Sequence, residues 1–85
     1  MRITWDEAKQ IANLAKHGLD FAGLDADFFA DAMIGRARPP RFVAIGRLAS
    51  AAAVTVIFAL LGGEGLSVIS MRPASRKERS GLDAR

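Results

Sequence analysis

Two periods of apolar and polar residues run through this chain. Between residues 6 and 18 the repeat is helical. At about 100° per residue, Asp6, Lys9, Asn13, Lys16 and His17 share one stripe. Ala8, Ile11, Ala12 and Ala15 fall on the opposite side at i, i+3, i+4, i+7 spacing, which reads as the buried face. Ile3–Trp5 reads as a short strand leading into this helix. Asp6 suits the N-cap, because its carboxylate can accept from the free N–H groups of the first turn. Thr4-x-x-Glu7 forms a competing capping box, and Gly18 fits the left-handed position that ends the helix. Asp20 then caps a second helix in which Phe21, Leu24 and Phe28 point inward, ending near Asp31.

Beyond Arg36-Ala37-Arg38, Pro39-Pro40 interrupts regular structure and the period becomes two. Arg41–Leu48 reads as a strand with Arg41, Val43, Ile45 and Arg47 on one face and Phe42, Ala44, Gly46 and Leu48 on the other. Ala49–Ala51 is the turn. Ala53–Leu60 is a buried central strand, Gly62-Gly63-Glu64-Gly65 a hairpin turn, and Leu66–Met71 a further strand. Ser75-x-x-Glu78 is a capping box that opens a short C-terminal helix, weakened by Gly81. The prediction is an α+β domain spanning residues 1–85: β-α-α, then an antiparallel β meander, then a terminal helix.

Composition narrows the class. Eighty-five residues with 51% hydrophobic and 25% charged positions describe one small globular domain. The chain has no cysteine and a single histidine, so no thiolate site or ordinary zinc site is available and no cofactor is expected. The uncharged run Leu48–Gly63 is shorter than the ~20 residues of a spanning helix and rich in β-branched residues, so a buried strand and no membrane partner are expected. Met1–Trp5 lacks the apolar core of a signal peptide, which predicts a cytoplasmic location.

Charge is uneven. Residues 1–35 hold three basic groups against six acidic, whereas residues 36–85 hold nine basic against three acidic. Most of the excess is arginine, whose planar fork matches phosphate, so a polyanion such as nucleic acid is the implied partner. No phosphate-binding loop, dinucleotide fingerprint or nucleophile elbow is present. The remaining chemistry lies in Lys16, His17, Arg41, Arg47, Arg72, Arg76 and Arg79. Such a set can run RNA cleavage by the RNA's own 2′-hydroxyl. One group takes the 2′-OH proton, another protonates the leaving 5′-oxygen, and arginines stabilise charge on the phosphorane. Imidazole suits either proton transfer. A plainer reading stands beside each residue: His17 as a cation at a helix C-terminus, Arg41 and Arg47 as solvated strand residues, and residues 76–79 as a charged helix end.

Trp5-Asp6-x-x-Lys9-x-x-x-Asn13-x-x-Lys16-His17-Gly18-x-x-Phe21 resembles the opening of the BrnT family of type II toxins. A Phe at 28 or 29 ahead of Asp31, Arg41 leading to Ile45-Gly46, and Ile69-Ser70-x-Arg72-x-Ala74-x-x-x-Glu78-Arg79 continue the likeness. The resemblance implies a RelE-like fold and a metal-independent ribonuclease that inhibits translation. It also implies a ribbon-helix-helix antitoxin partner, BrnA-like, in a heterotetramer that reaches operator DNA only through the antitoxin. Carried onto this sequence, it points to Lys16, His17, Arg41 and Arg72 as catalytic, with Arg76 at the RNA beside Arg47 and Arg79. The chain departs from the pattern at Met71, usually Ala, and at Pro73, commonly Lys. Ala59–Gly62 lacks an arginine common near the end of the central strand, and Pro39-Pro40 replaces acidic residues ahead of Arg41. These departures motivate an alternative, a non-catalytic module of the same fold that binds its antitoxin or RNA without cleaving.

Overall fold

The computed structural model describes residues 1–85. Strand β1 (Arg2–Trp5) leads into helix α1 (Glu7–His17), a 3₁₀ turn (Phe21–Gly23) and helix α2 (Ala26–Asp31). Strands β2 (Met33–Arg36), β3 (Arg41–Arg47), β4 (Ala53–Leu61) and β5 (Gly65–Pro73) follow, and helix α3 (Arg76–Asp83) closes the chain. The five strands form one sheet in the order β1-β5-β4-β3-β2. Neighbours are antiparallel except β1 and β5, which run parallel from Arg2 opposite Gly65 to Trp5 opposite Val68. The architecture is α+β as expected, but the sheet is mixed. Strand β2 was not foreseen: it is short, and being an edge strand it pairs only with β3.

Local chemistry explains the element ends. Asp6 accepts from the Ala8 N–H at 3.0 Å and caps α1. Thr4 is not a cap, because it belongs to β1 and its hydroxyl donates to Leu66 O. Gly18 ends α1 with φ of 69°, a left-handed conformation in which a Cβ is disfavoured. The predicted single second helix is divided in two. Asp20 caps the 3₁₀ turn through Ala22 N–H, and Asp25 caps α2 through Phe28 N–H. The Ala22 and Gln10 donors hold the Asp20 carboxyl below its ordinary range.

One face of the sheet carries the core. Phe21, Leu24, Phe28 and Phe29 bury against Ala44, Val54, Val56, Phe58, Leu66, Val68 and Met71. Phe29 meets Phe28 and Phe58 edge-on with ring centroids 5.1 and 5.3 Å away, geometry favoured by the aromatic quadrupole. Gly46 on β3 makes room for this packing, since a Cβ there would stand 3.0 Å from Phe28 Cε1. The alternation read from residues 41–48 holds: Ala44 and Gly46 are buried, whereas Arg41 and Arg47 are exposed.

Helix α1 reverses the expectation. Ala8, Ile11, Ala12 and Ala15 face solvent, with Ile11 61% exposed, while Asn13 from the polar stripe is buried. The reason lies in β5, which extends past the end of β1. Its Met71 N–H donates to Asn13 Oδ1 at 2.9 Å, and Asn13 Nδ2 donates to Leu19 O at 3.1 Å. A buried peptide N–H left without a partner costs about 1–3 kcal/mol. Two satisfied hydrogen bonds therefore set the helix's rotation against whatever its apolar residues would gain from burial.

Candidate functional site

The face of the sheet opposite the core carries Arg41, Val43, Ile45 and Arg47 of β3. Ile45 stands opposite Thr55 of β4, and Thr55 opposite Arg72 of β5. Helix α3 ties down over the Thr55–Arg72 end of this face. Ser75 caps α3 by accepting from Glu78 N–H, while Glu78 returns Oε1 to Ser75 N–H, so the capping box read from the sequence is formed.

Glu78 does more than cap. Its Oε1 accepts from Arg72 Nη1 at 2.7 Å and its Oε2 from Arg72 Nη2 at 2.9 Å, a two-pronged pair. The buried Thr55 hydroxyl donates to the same Oε1 at 2.9 Å. Arg72 first, then the Ser75 N–H and the Thr55 hydroxyl, pull the Glu78 carboxyl down to about 2. The same pairing raises Arg72. The guanidinium is thus held by its end-on edge, and its Nε–H makes no hydrogen bond within the chain. Nε–H with the outer proton of Nη2 forms a second donor edge suited to one phosphate.

The α1 cations follow the residue that ties this helix to β5. Helix α1 advances with β5, since Trp5 just ahead of it pairs with Val68 and Asn13 reaches Met71. Lys16 and His17 follow Asn13 by about 5 Å along the helix, which carries them toward Arg72 and Pro73. Lys16 is exposed and His17 half-buried. Arg76 and Arg79 project into solvent from α3.

Two expected members sit elsewhere or are occupied. Arg41 pairs with Ala59, four residues along β4 from Thr55 and two strands from Arg72, so the two arginines' backbones are about 16 Å apart. Arg41 is therefore set apart from Arg72 on the sheet. Arg47 is on the correct face, but its Nη2 pairs with Asp83 at 2.7 Å and its Nη1 donates to Ala51 O. Asn13, which had stood in the cationic stripe, is a structural tie. Glu78 and Thr55 were missed as site residues. Their signal in the sequence was confined to the cap, because the contact with Arg72 forms only when β5 and α3 fold back together.

No group of three or more His, Asp and Glu side chains gathers where it could hold a metal ion. A surface depression lined by Met1, Arg2 and residues 60–66 lies at the Gly65 end of β5, the opposite end from Arg72. No helix is long and apolar enough to cross a membrane.

Comparison with known proteins agrees with this arrangement of elements. Residues 5–78 match the family described as "Ribonuclease toxin, BrnT, of type II toxin-antitoxin system". The 1.1 Å crystal structure of the Brucella abortus ribonuclease toxin BrnT superposes with a TM-score of 0.84 at 49% identity, covering 89% of this chain and 99% of that one. A search among curated proteins gives no match. The family match takes in both the α1 stripe and the Arg72–Glu78 pair, and on it the chain belongs to the BrnT family of type II toxin–antitoxin ribonuclease toxins.

Proposed function

We propose that this chain is itself an active endoribonuclease of RelE-like fold, acting in the cytoplasm to stop translation by cutting RNA without a metal ion. The observation that carries the reading is Arg72, clamped on one edge by Glu78 and open on the other. A bidentate guanidinium whose rotamer is already fixed loses little freedom when a phosphate arrives, so its stabilisation is available as charge builds on the phosphorane. In this reading His17 and Lys16 divide the proton transfers. One accepts the 2′-OH proton as O2′ attacks phosphorus, and the other protonates the 5′-oxygen as the P–O5′ bond breaks, leaving a 2′,3′-cyclic phosphate. Arg76 and Arg79 contact the flanking backbone, and Arg47 joins them by exchanging Asp83 for phosphate. Arg41, distant from Arg72, contacts the substrate rather than the reacting phosphate.

The partner in this proposal is a ribbon-helix-helix antitoxin, bound as a heterotetramer that reaches operator DNA through the antitoxin. The test compares purified wild type with Lys16→Ala and Arg72→Ala on a single-stranded RNA, with and without chelator. Cleavage by the wild type that survives chelation and falls at least about 100-fold in both variants, with melting still cooperative, supports it. Equal cleavage by all three proteins sinks it. A second reading, binding without cleavage, is favoured by Arg47, whose guanidinium is already engaged by Asp83 and Ala51 O. Intact RNA at every wild-type concentration, with tight antitoxin binding, would establish that alternative.

A further inference from the structure

Helix α1 presents to solvent the face that a protein normally hides. Ala8, Ile11, Ala12 and Ala15 form its middle, and Leu14, 46% exposed, lies at its edge. Lys9 and Lys16, two turns apart, line one border of this stripe, and Glu7 stands at the other. The three alanines let a second helix axis approach to about 8 Å, and Ile11 and Leu14 supply the knobs.

A second copy of this chain is a poor occupant. Helix α1 is about 16 Å long and its outward face can bury only on the order of 300 Å² per partner, well below the ~800 Å² of a stable dimer. Antiparallel self-pairing would also set Lys9 of one copy beside Lys16 of the other. A different chain with further contacts elsewhere escapes both limits, and membership of a toxin–antitoxin family supplies one. We propose that the outward face of α1 is a docking seat for the antitoxin, which lays across it an amphipathic helix with an apolar row over Ile11 and Ala15 and carboxylates beside Lys9 and Lys16. The seat adjoins Lys16, so docking draws that ammonium into an ion pair and covers the cationic end of the helix. This inference rests on the family and on the proposed partner, and not on whether this chain cleaves RNA.

The experiment co-expresses the toxin with its cognate antitoxin and compares wild type with Ile11→Glu, Leu14→Glu and Lys9→Glu. Both apolar positions are exposed, so the free variants should melt with the wild type. Antitoxin affinity, measured on purified proteins, should fall on the order of 100-fold for Ile11→Glu and by a smaller, salt-dependent factor for Lys9→Glu. RNA cleavage measured on the same variants separates the two readings, since a lost seat leaves free-toxin cleavage at the wild-type level. Unchanged affinity in both Ile11→Glu and Leu14→Glu overturns the proposal. So does a wild-type toxin that is dimeric alone and becomes monomeric on Ile11→Glu, which would assign the face to a second copy.

Discussion

Replacing Glu78 with Gln tests the clamp on Arg72 through pH. Arg72 pulls the folded carboxyl down to about 2, from an ordinary glutamate value of 4.5. A folded pKa below the unfolded one contributes stability that is full above the unfolded value and is lost as pH falls toward the folded value. The window therefore runs from about pH 5 down to pH 2. For a carboxyl lowered this far and fully screened from water the gain at pH 7 is about 3 kcal/mol. The Arg72 side chain is 45% exposed, so screening by water reduces the contribution to about 1–2 kcal/mol. Gln preserves the shape and one acceptor but does not ionise. Urea unfolding of wild type and Glu78→Gln should thus differ by about 1–2 kcal/mol at pH 7, and the gap should narrow by about 1 kcal/mol at pH 3. Parallel stability curves from pH 7 to pH 3 would refute the clamp as an ionic interaction.

Other expectations follow from single contacts. Asn13→Ala strands the Met71 N–H and should cost about 2–3 kcal/mol in chemical unfolding, and Asn13→Asp should not restore it, because a carboxylate oxygen would then face Leu19 O. Gly46→Ala places a Cβ 3.0 Å from Phe28 Cε1 and 3.2 Å from Ala32 Cβ, so thermal melting should show a loss of about 1–3 kcal/mol. Asp83→Ala removes an exposed partner of Arg47 and should change stability by less than about 1 kcal/mol. In an RNA-binding titration the same variant should bind more tightly, and unchanged affinity would show that Arg47 does not contact the substrate.

Much of the fold was legible because its signals are local. Asp6, Gly18 and the Ser75–Glu78 box bound their helices through groups within four residues, and the alternation from Arg41 to Leu48 assigns its faces without outside help. Phe21, Leu24 and Phe28 point inward although two caps divide their helix. What escaped was decided at long range. Periodicity in α1 separates two faces without saying which is covered, and a peptide group 58 residues away settled it. The parallel pairing of β1 depends on where β5 ends up, and β2 is too short for its pattern to speak. In the candidate site, Lys16, His17, Arg41 and Arg72 were read together as cations, and the sheet sets Arg41 apart from Arg72. The carboxylate that orients Arg72 had already been explained by its cap, so nothing in the sequence asked for a second role.

Asn13 also separates two design problems that most amphipathic helices must solve with the same residues. An apolar seam tolerates sliding and rolling, because neighbouring packings differ little in area. An amide bonded to Met71 N and Leu19 O accepts one azimuth: a slip of one residue would turn the helix by about 100° and break both bonds. The angular phase of α1 is thus set by polar side chains on its inner side, Asn13 foremost, with Gln10 bonded to Asp20. The outer side is released from holding the fold together, and its residues can change to suit whatever meets them while the inner side keeps its bearing on β5.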